Sequence, residues 1–363
     1  MSVLAAIAVL ALLIVIHELG HFSAARLQNI HVNRFSIGFG PTLLKYQGKE
    51  TEYALRAFPL GGYVGFPDDD PESDIPPEDP NLLRNRPVFD RAIVISAGVV
   101  ANLIFAYFLL VVQAGTAGFQ DIDYQPGVRI PQVLTEMASP AAKAGIQGED
   151  VVLAVGSIEL PTGQAALEDL RDLIQNAPDQ ELTLKIQRGS EILSLDVTPD
   201  LGSDGQGKIG VMLAPNGDIV RRRASNPIAA LKAGSKEFQR LAGLTVQGFS
   251  QLLFNFQETA KQVSGPVAIV AVGADLAKDD LTNLFQFGSL ISINLAIINI
   301  LPLPALDGGQ LAFLLIEALR GKPLPMRLQE NIMQTGLVLL LGLGVFLIVR
   351  DTVNLAFFQN LIR

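Results

Sequence analysis

Val3-Leu-Ala-Ala-Ile-Ala-Val-Leu-Ala-Leu-Leu-Ile-Val-Ile16 is an unbroken apolar run of fourteen residues that leads directly into His17-Glu18-Leu19-Gly20-His21. Leu19, Phe22 and Ala24 carry the apolar character on to Arg26. The segment therefore has the length of a transmembrane helix, with ionisable groups inside it. A signal-peptide core is the other explanation. No basic residue precedes the run and no clear small-residue cleavage site follows it, so a retained span is expected.

Three further segments have the same character: residues 92–112, 284–301 and 332–349, the last closed by Arg350. Each can cross a hydrocarbon layer about 30 Å thick. The composition agrees. Of 363 residues, 49% are hydrophobic and 17% charged, against the usual quarter charged. This excludes a disordered chain and argues against a soluble one. A net charge of −9 disfavours nucleic acid as a partner. The absence of Cys excludes disulfides, thiolate metal sites and Cys nucleophiles.

Between the first two spans, residues 34–46, 51–58 and 63–66 alternate in the manner of strands. An acidic, Pro-rich stretch at 67–80 follows and reads as a solvated linker. Between the second and third spans lies a soluble region. Residues 167–177 read as a helix, 182–187 and 192–197 as a hairpin around Arg188-Gly189-Ser190, and 227–261 as an amphipathic helix. Basic residues cluster after the first span (Arg34, Lys45, Lys49, Arg56, Arg84, Arg86) and after the third (Arg320, Lys322, Arg327). With four spans these two loops share a side, the cytoplasmic one by the positive-inside rule. The termini and the large soluble region then lie outside.

His17-Glu18-x-x-His21 puts two imidazoles at i and i+4 on one helix face, where both reach one metal ion. Zinc suits two neutral His nitrogens and a carboxylate, with a fourth position for water. Glu18 is placed to take a proton from that water. Ionisable residues in a membrane segment are costly and point to function. The bland alternative is a pair of polar interface histidines. His31, the remaining histidine, reads as a surface residue. For the third ligand the candidate is Asp307, in Asn299-Ile-Leu-Pro302-Leu-Pro304-Ala-Leu-Asp307-Gly308. The two prolines break the helix, and such irregular backbone at membrane depth belongs beside a cavity. By itself the stretch could be an ordinary turn-rich loop. Spans one and three run in the same direction, however, so His17, His21 and Asp307 meet at one depth. Glu317 is the other candidate, without the broken-helix context.

Together these residues resemble the site-2 protease family of intramembrane zinc metalloproteases, in particular the bacterial regulator-of-sigma-E protease type. Asn299-x-x-Pro302-x-Pro304-x-Leu306-Asp307-Gly308 resembles the family's Asn-Pro-Leu-Asp-Gly signature, which makes Asp307 the third zinc ligand beside His17 and His21, with Glu18 catalytic. Asn294 and Asn299 match asparagines near substrate and metal. Residues 34–40 and Pro59-Leu-Gly-Gly62-Tyr63-Val64 resemble its membrane-associated β-hairpin region, which implies substrate contact at Gly62 and Tyr63. Gly98-x-x-x-Asn102 resembles its second-span motif, with Val99 where many members have Pro. Ser139-Pro-Ala-Ala-Lys-Ala-Gly145 and the run from Gly148 to Val155 look like a bacterial PDZ domain. Gly207-Lys-Ile209-Gly210-Val211 fits its peptide groove in a circularly permuted arrangement, or is simply a last strand.

The resemblance implies a polytopic α-helical membrane protein with four transmembrane helices, a membrane-associated β-hairpin region and an inserted α+β PDZ domain. The expected divisions are a first transmembrane helix (1–27), a β region (31–67), an acidic linker (68–90), a second helix (91–114), the PDZ domain (116–217), a helical connector (218–283), a third helix carrying Leu-Asp-Gly (284–310) and a fourth (331–350). The implied cofactor is Zn2+. The implied partners are membrane-spanning protein substrates, an upstream site-1-type protease and a peptide ligand of the PDZ domain. The implied location is a bacterial-type inner membrane, with the PDZ domain extracytoplasmic and the active site toward the cytoplasm. A non-catalytic PDZ scaffold, or a membrane zinc protease with a soluble catalytic domain, are the competing classes. The first predicts dispensable metal residues; the second needs a soluble domain around the motif.

Overall fold

The computed structural model describes residues 1–70, 73–134, 139–202, 205–255 and 263–354. In chain order its elements are α1 (Ser2–Leu27), β1 (Arg34–Gln47), β2 (Glu52–Gly65), α2 (Val88–Thr116), β3 (Phe119–Val133), α3 (Pro140–Lys143), β4 (Asp150–Val155), β5 (Ile158–Glu159), α4 (Gln164–Gln175), β6 (Leu182–Arg188), β7 (Glu191–Val197), β8 (Asp200–Leu201), β9 (Gly207–Lys208) and β10 (Val211–Arg222). Then follow α5 (Pro227–Phe254), α6 (Pro266–Asp279), α7 (Asn283–Ile300), α8 (Asp307–Arg320) and α9 (Met326–Asn354). The chain divides into two compact units, Met1–Gly118 with Arg223–Arg363, and Phe119–Arg222.

In the first unit α1, α2, α7 and α9 are long and apolar enough to cross a membrane, so the four expected spans are present. The third apolar segment does not run unbroken to residue 310. Leu301 turns to extended backbone ahead of Pro302, which cannot continue the helix. The chain re-enters helix at Asp307, which becomes the first residue of the separate helix α8. Small hydroxyls knit α7 to α2: Ser289 donates to the Ala106 carbonyl at 3.1 Å and Ser292 to that of Asn102 at 2.8 Å. In lipid such bonds hold helices together where apolar contact alone gives no preference. Only Gly336 and Asp351 of α9 are fully buried, and most of its residues are exposed on the first unit. The connector expected at 218–283 is helical in α5 and α6; residues 256–262 lie outside the described ones.

The β region is more than a hairpin. Both strands are bent, and each serves in two rows. Residues 34–37 pair in parallel with 52–55 on one side and antiparallel with 62–65 on the other, while 42–47 pair antiparallel with 52–56. The spatial order is 42–47, 52–56, 34–37, 62–65, so Gly62 to Gly65 form an outer row. The stretch expected as a third strand is the end of β2. The acidic segment is also tied down: Asp68 accepts from the Leu83 and Arg84 amides, and Leu82 is buried.

The second unit is the expected α+β domain. Its sheet runs β10-β3-β4-β6-β7 with β5 beside β4. Val128, Ile130, Val152, Leu184 and Ile186 alternate inward from the sheet onto Leu167, Leu170 and Ile174 of α4. The polar exception is Asp150, whose side chain is 1% exposed. Arg188 holds it through two bonds, Nε to Oδ1 at 2.8 Å and Nη2 to Oδ2 at 2.7 Å, and the Gln147 amide adds a third. Burial pushes the Asp150 carboxyl up, but the Arg188 hydrogen bond and the Gln147 amide outweigh it and hold it below its ordinary value. The stabilisation is therefore whole above an unfolded pKa of roughly 4 and is lost as pH falls through the lower folded value. Arg188→Met leaves the carboxylate buried and unpaired, an expected loss of about 3 kcal/mol. Hydrogen exchange at the Val151 and Ile186 amides of the full chain reads this directly; unchanged protection would count against the pair.

Candidate metal centre

His17, Glu18 and His21 sit on the C-terminal half of α1. Asp307 begins α8, delivered by the Pro302–Pro304 break. These distant parts of the chain meet. Asp307 Oδ2 lies 3.3 Å from His17 Nε2 and 3.4 Å from His21 Nε2, and the two Nε2 atoms are 3.2 Å apart. Among the described residues these three form the one group of His, Cys, Asp and Glu able to hold a metal. The triangle has the right size. Ligand atoms about 2.0–2.1 Å from a tetrahedral centre lie about 3.3–3.4 Å from one another. Asp307 Oδ2 is buried and accepts no well-directed hydrogen bond. A buried carboxylate oxygen without a donor needs a cation. The donor set, two nitrogens and one oxygen, suits zinc and leaves a fourth position for water or substrate.

The second helix makes room for this triangle. A Cβ on Gly98 would lie 2.3 Å from His21 Nε2 and 2.6 Å from His17 Cε1. Only a residue without a side chain lets both imidazoles lie against α2. Gly20, inside the His-Glu-x-x-His motif, does the same for the backbones: a Cβ there would lie 2.4 Å from the Ala97 carbonyl oxygen. On the ring sides away from Asp307, His21 Nδ1 donates to the Val94 carbonyl at 2.8 Å, and His17 Nδ1 faces the Asn102 carboxamide at 3.3 Å.

Glu18 points to the β region. A Cβ on Gly62 would lie 2.8 Å from Glu18 Cγ, so the outer row of the sheet runs directly past the candidate base. Neighbouring residues of a strand face opposite ways. Tyr63 accordingly lies on the reverse face, where its hydroxyl accepts from Arg56 Nη2 at 3.3 Å and Arg56 stands over its ring. The structure brings Gly62 to the site and turns Tyr63 away from it. Of the two asparagines, Asn299 Nδ2 lies 3.2 Å from His17 Nε2. Asn294 is more than a helical turn back along α7 and makes no hydrogen bond to the ligand triangle. Glu317 is occupied elsewhere: it forms an ion pair with Arg91, both side chains being largely buried, and so ties α8 to the first turn of α2. His31 is half-buried, 3.6 Å from Asp79.

In the inserted unit, the Ile209 side chain is buried in the core. Its carbonyl accepts from the Ala141 amide, and that of Gly210 from the Leu134 amide. Gly210 has φ +76°, and Val211 opens β10, an outermost strand of the sheet. Sequence reasoning missed the Arg91–Glu317 pair and the purpose of Gly20 and Gly98. The signals for the latter were the Gly98-x-x-x-Asn102 motif and the place of Gly20 inside His-Glu-x-x-His.

The model of Peptidase family M50 matches residues 5–343. A chain from Nostoc sp. that bears a zinc metalloprotease name is 62% identical over 355 residues, covering 98% of this chain and 97% of its own length. The chloroplastic membrane metalloprotease ARASP of Arabidopsis thaliana is 49% identical, covering 99% of this chain and 81% of its own. Protease RseP of Yersinia pestis is 32% identical, covering 95% and 97%. A solved PDZ domain of an SdrC-like protein from Listeria monocytogenes aligns to 24% of this chain and 87% of its own, at 17% identity and a TM-score of 0.21. At that score the fold of Phe119–Arg222 rests on its own strands.

Gly98→Ala is expected to lower bound zinc in the purified protein by more than half, because its methyl group overlaps both imidazoles. Gly243→Ala, with nothing within 4 Å, serves as the control. Equal zinc in the two variants, measured by atomic absorption, would refute the packing argument.

Proposed function

Because the chain belongs to peptidase family M50 and is a zinc metalloprotease, we propose that it hydrolyses peptide bonds within or beside the transmembrane segments of membrane-anchored proteins. His17, His21 and Asp307 hold the zinc, and Glu18 is the general base. The observation that carries this proposal is the ligand triangle's position among helices apolar enough to lie in lipid. A scissile bond must enter the apolar zone to reach it.

Zinc, when bound, supplies a Lewis acid for the scissile carbonyl and lowers the pKa of a water molecule. Glu18 takes the proton of the attacking water and delivers it to the departing amine. The Asn299 carboxamide, 3.2 Å from His17 Nε2, is placed to donate to the negative charge that develops on the carbonyl oxygen. The substrate must first expose its backbone. A helix in lipid pairs every amide with itself, and an unpaired group there costs several kcal/mol. An unwound segment regains its partners by adding as a strand to the outer row 62–65, beside Glu18. Residues 52–55, paired on both sides, have no free edge to offer.

The inserted domain acts as a PDZ-type module outside the cytoplasm. Its groove lies along the start of β10 at Gly210 and Val211, where the free edge of an outermost strand supports strand addition. It binds a peptide or excludes substrates with bulky outer domains, so that an earlier site-1-type cleavage precedes this one. Relatives from bacteria and a chloroplast support a bacterial-type inner membrane or its plastid counterpart.

Glu18→Gln is expected to retain zinc and to lose between about 10²- and 10⁴-fold in cleavage of a model transmembrane peptide. Unchanged cleavage would remove Glu18 as base. Proline at Tyr63 or Val64 removes a main-chain donor from the outer row, and turnover should fall at least tenfold at one of them with zinc retained. Full turnover in both would exclude strand addition there.

A further inference from the structure

Val94, Gly98 and Asn102 lie one turn apart on the face of α2 that meets the candidate ligands. Gly98 provides space. The outer two face the ring nitrogens that point away from Asp307. For His21 that partner is the Val94 carbonyl at 2.8 Å. A carbonyl can only accept, so the His21 proton sits on Nδ1 and its Nε2 lone pair is free for a metal.

His17 has no backbone carbonyl in the equivalent place. It has Asn102, which is fully buried. Asn102 Nδ2 stands 3.3 Å from His17 Nδ1, while Asn102 Oδ1 is buried and accepts nothing. With the amide that way round, the His17 proton is driven to Nε2, into the triangle formed with His21 Nε2 and Asp307 Oδ2. It would then occupy the lone pair that a metal needs. A half-turn of the carboxamide removes both faults. Oδ1 then accepts from His17 Nδ1–H, the orphaned acceptor is satisfied, and Nε2 is left as a lone pair. Asn299 Nδ2, 3.2 Å from Nε2 on the metal side, is a donor and agrees with that assignment.

We propose that Asn102 is a positioning residue that accepts the Nδ1 proton of His17 and so holds this imidazole in the metal-binding tautomer. The Gly98-x-x-x-Asn102 spacing thereby gains a chemical meaning: space for two imidazoles at one turn, an acceptor for one of them at the next. The proposal rests on His17 being a zinc ligand, and its tests separate the two claims.

The chain has three histidines, which makes ring nitrogen NMR on ¹⁵N-histidine-labelled protein tractable. In the zinc-loaded protein, His17 should show a protonated Nδ1 and a metal-bound Nε2; an unprotonated Nδ1 would overturn the proposal without touching the ligand assignment. Asn102→Leu removes the acceptor and should weaken zinc binding by roughly 10- to 100-fold. Asn102→Asp keeps an acceptor and loses the amide donor; it should hold zinc within about threefold of wild type. An Asp variant as weak as the Leu variant, or a Leu variant with undiminished affinity, would refute the acceptor role. Should the Leu variant fail to fold, the Asp variant and the wild-type spectrum still decide. If His17→Ala keeps full zinc affinity, the ligand assignment fails instead.

Discussion

Two imidazoles and a carboxylate meet among helices that lipid would otherwise claim, and the rest of the first unit follows from that cost. A polar group in hydrocarbon has to find a partner inside the protein. The groups here are arranged in layers around the triangle. Asp307 Oδ2, without a hydrogen-bond donor, faces the two Nε2 atoms. The outward ring nitrogens face Val94 and Asn102 on α2. The Asn102 carbonyl, in turn, accepts from Ser292 of α7. The helices are thus joined through polar groups that radiate from the metal triangle, and apolar packing fills what lies between.

The same cost explains why Asp307 arrives on its own helix. An Asp in the middle of a continuous span would point at a neighbour or at lipid according to its turn. By breaking the helix at Pro302 and restarting it at Asp307, the chain frees the direction of approach. It then fixes α8 far from the candidate triangle through the Arg91–Glu317 ion pair. Glu317 therefore spends its charge on architecture, which a sequence view of it as a rival ligand could not foresee.

Much of this was legible beforehand because the signals are long or chemically specific. Long apolar segments have few meanings, and His-Glu-x-x-His in one of them has fewer. The end of α7 was half legible: the prolines announced a break, while the restart at Asp307 depends on what α8 packs against. The hairpin of the β region was legible, but the second pairing of each strand was not, because alternation reports faces and says nothing of which strand lies beside which. Tyr63 went with Gly62 in the sequence motif, yet adjacent residues of a strand look opposite ways, and only Gly62 reaches Glu18. Arg91, Gly20 and Gly98 act through contacts made across the fold, which no local pattern encodes.

The bent strands carry a consequence for tolerance to insertion. Residues 52–55 hold two ladders at once, with 34–37 and with 42–47, and 34–37 likewise hold two. One added or deleted residue between the rows cannot slip a single ladder and be absorbed at its end. It moves two pairings together and flips the side chains of whichever row gives way. A slip one way would then bring Tyr63 beside Glu18, where a Cβ already has no room. The sheet works as a gauge block: its thickness is set by counting residues, and the space beside Glu18 is set with it.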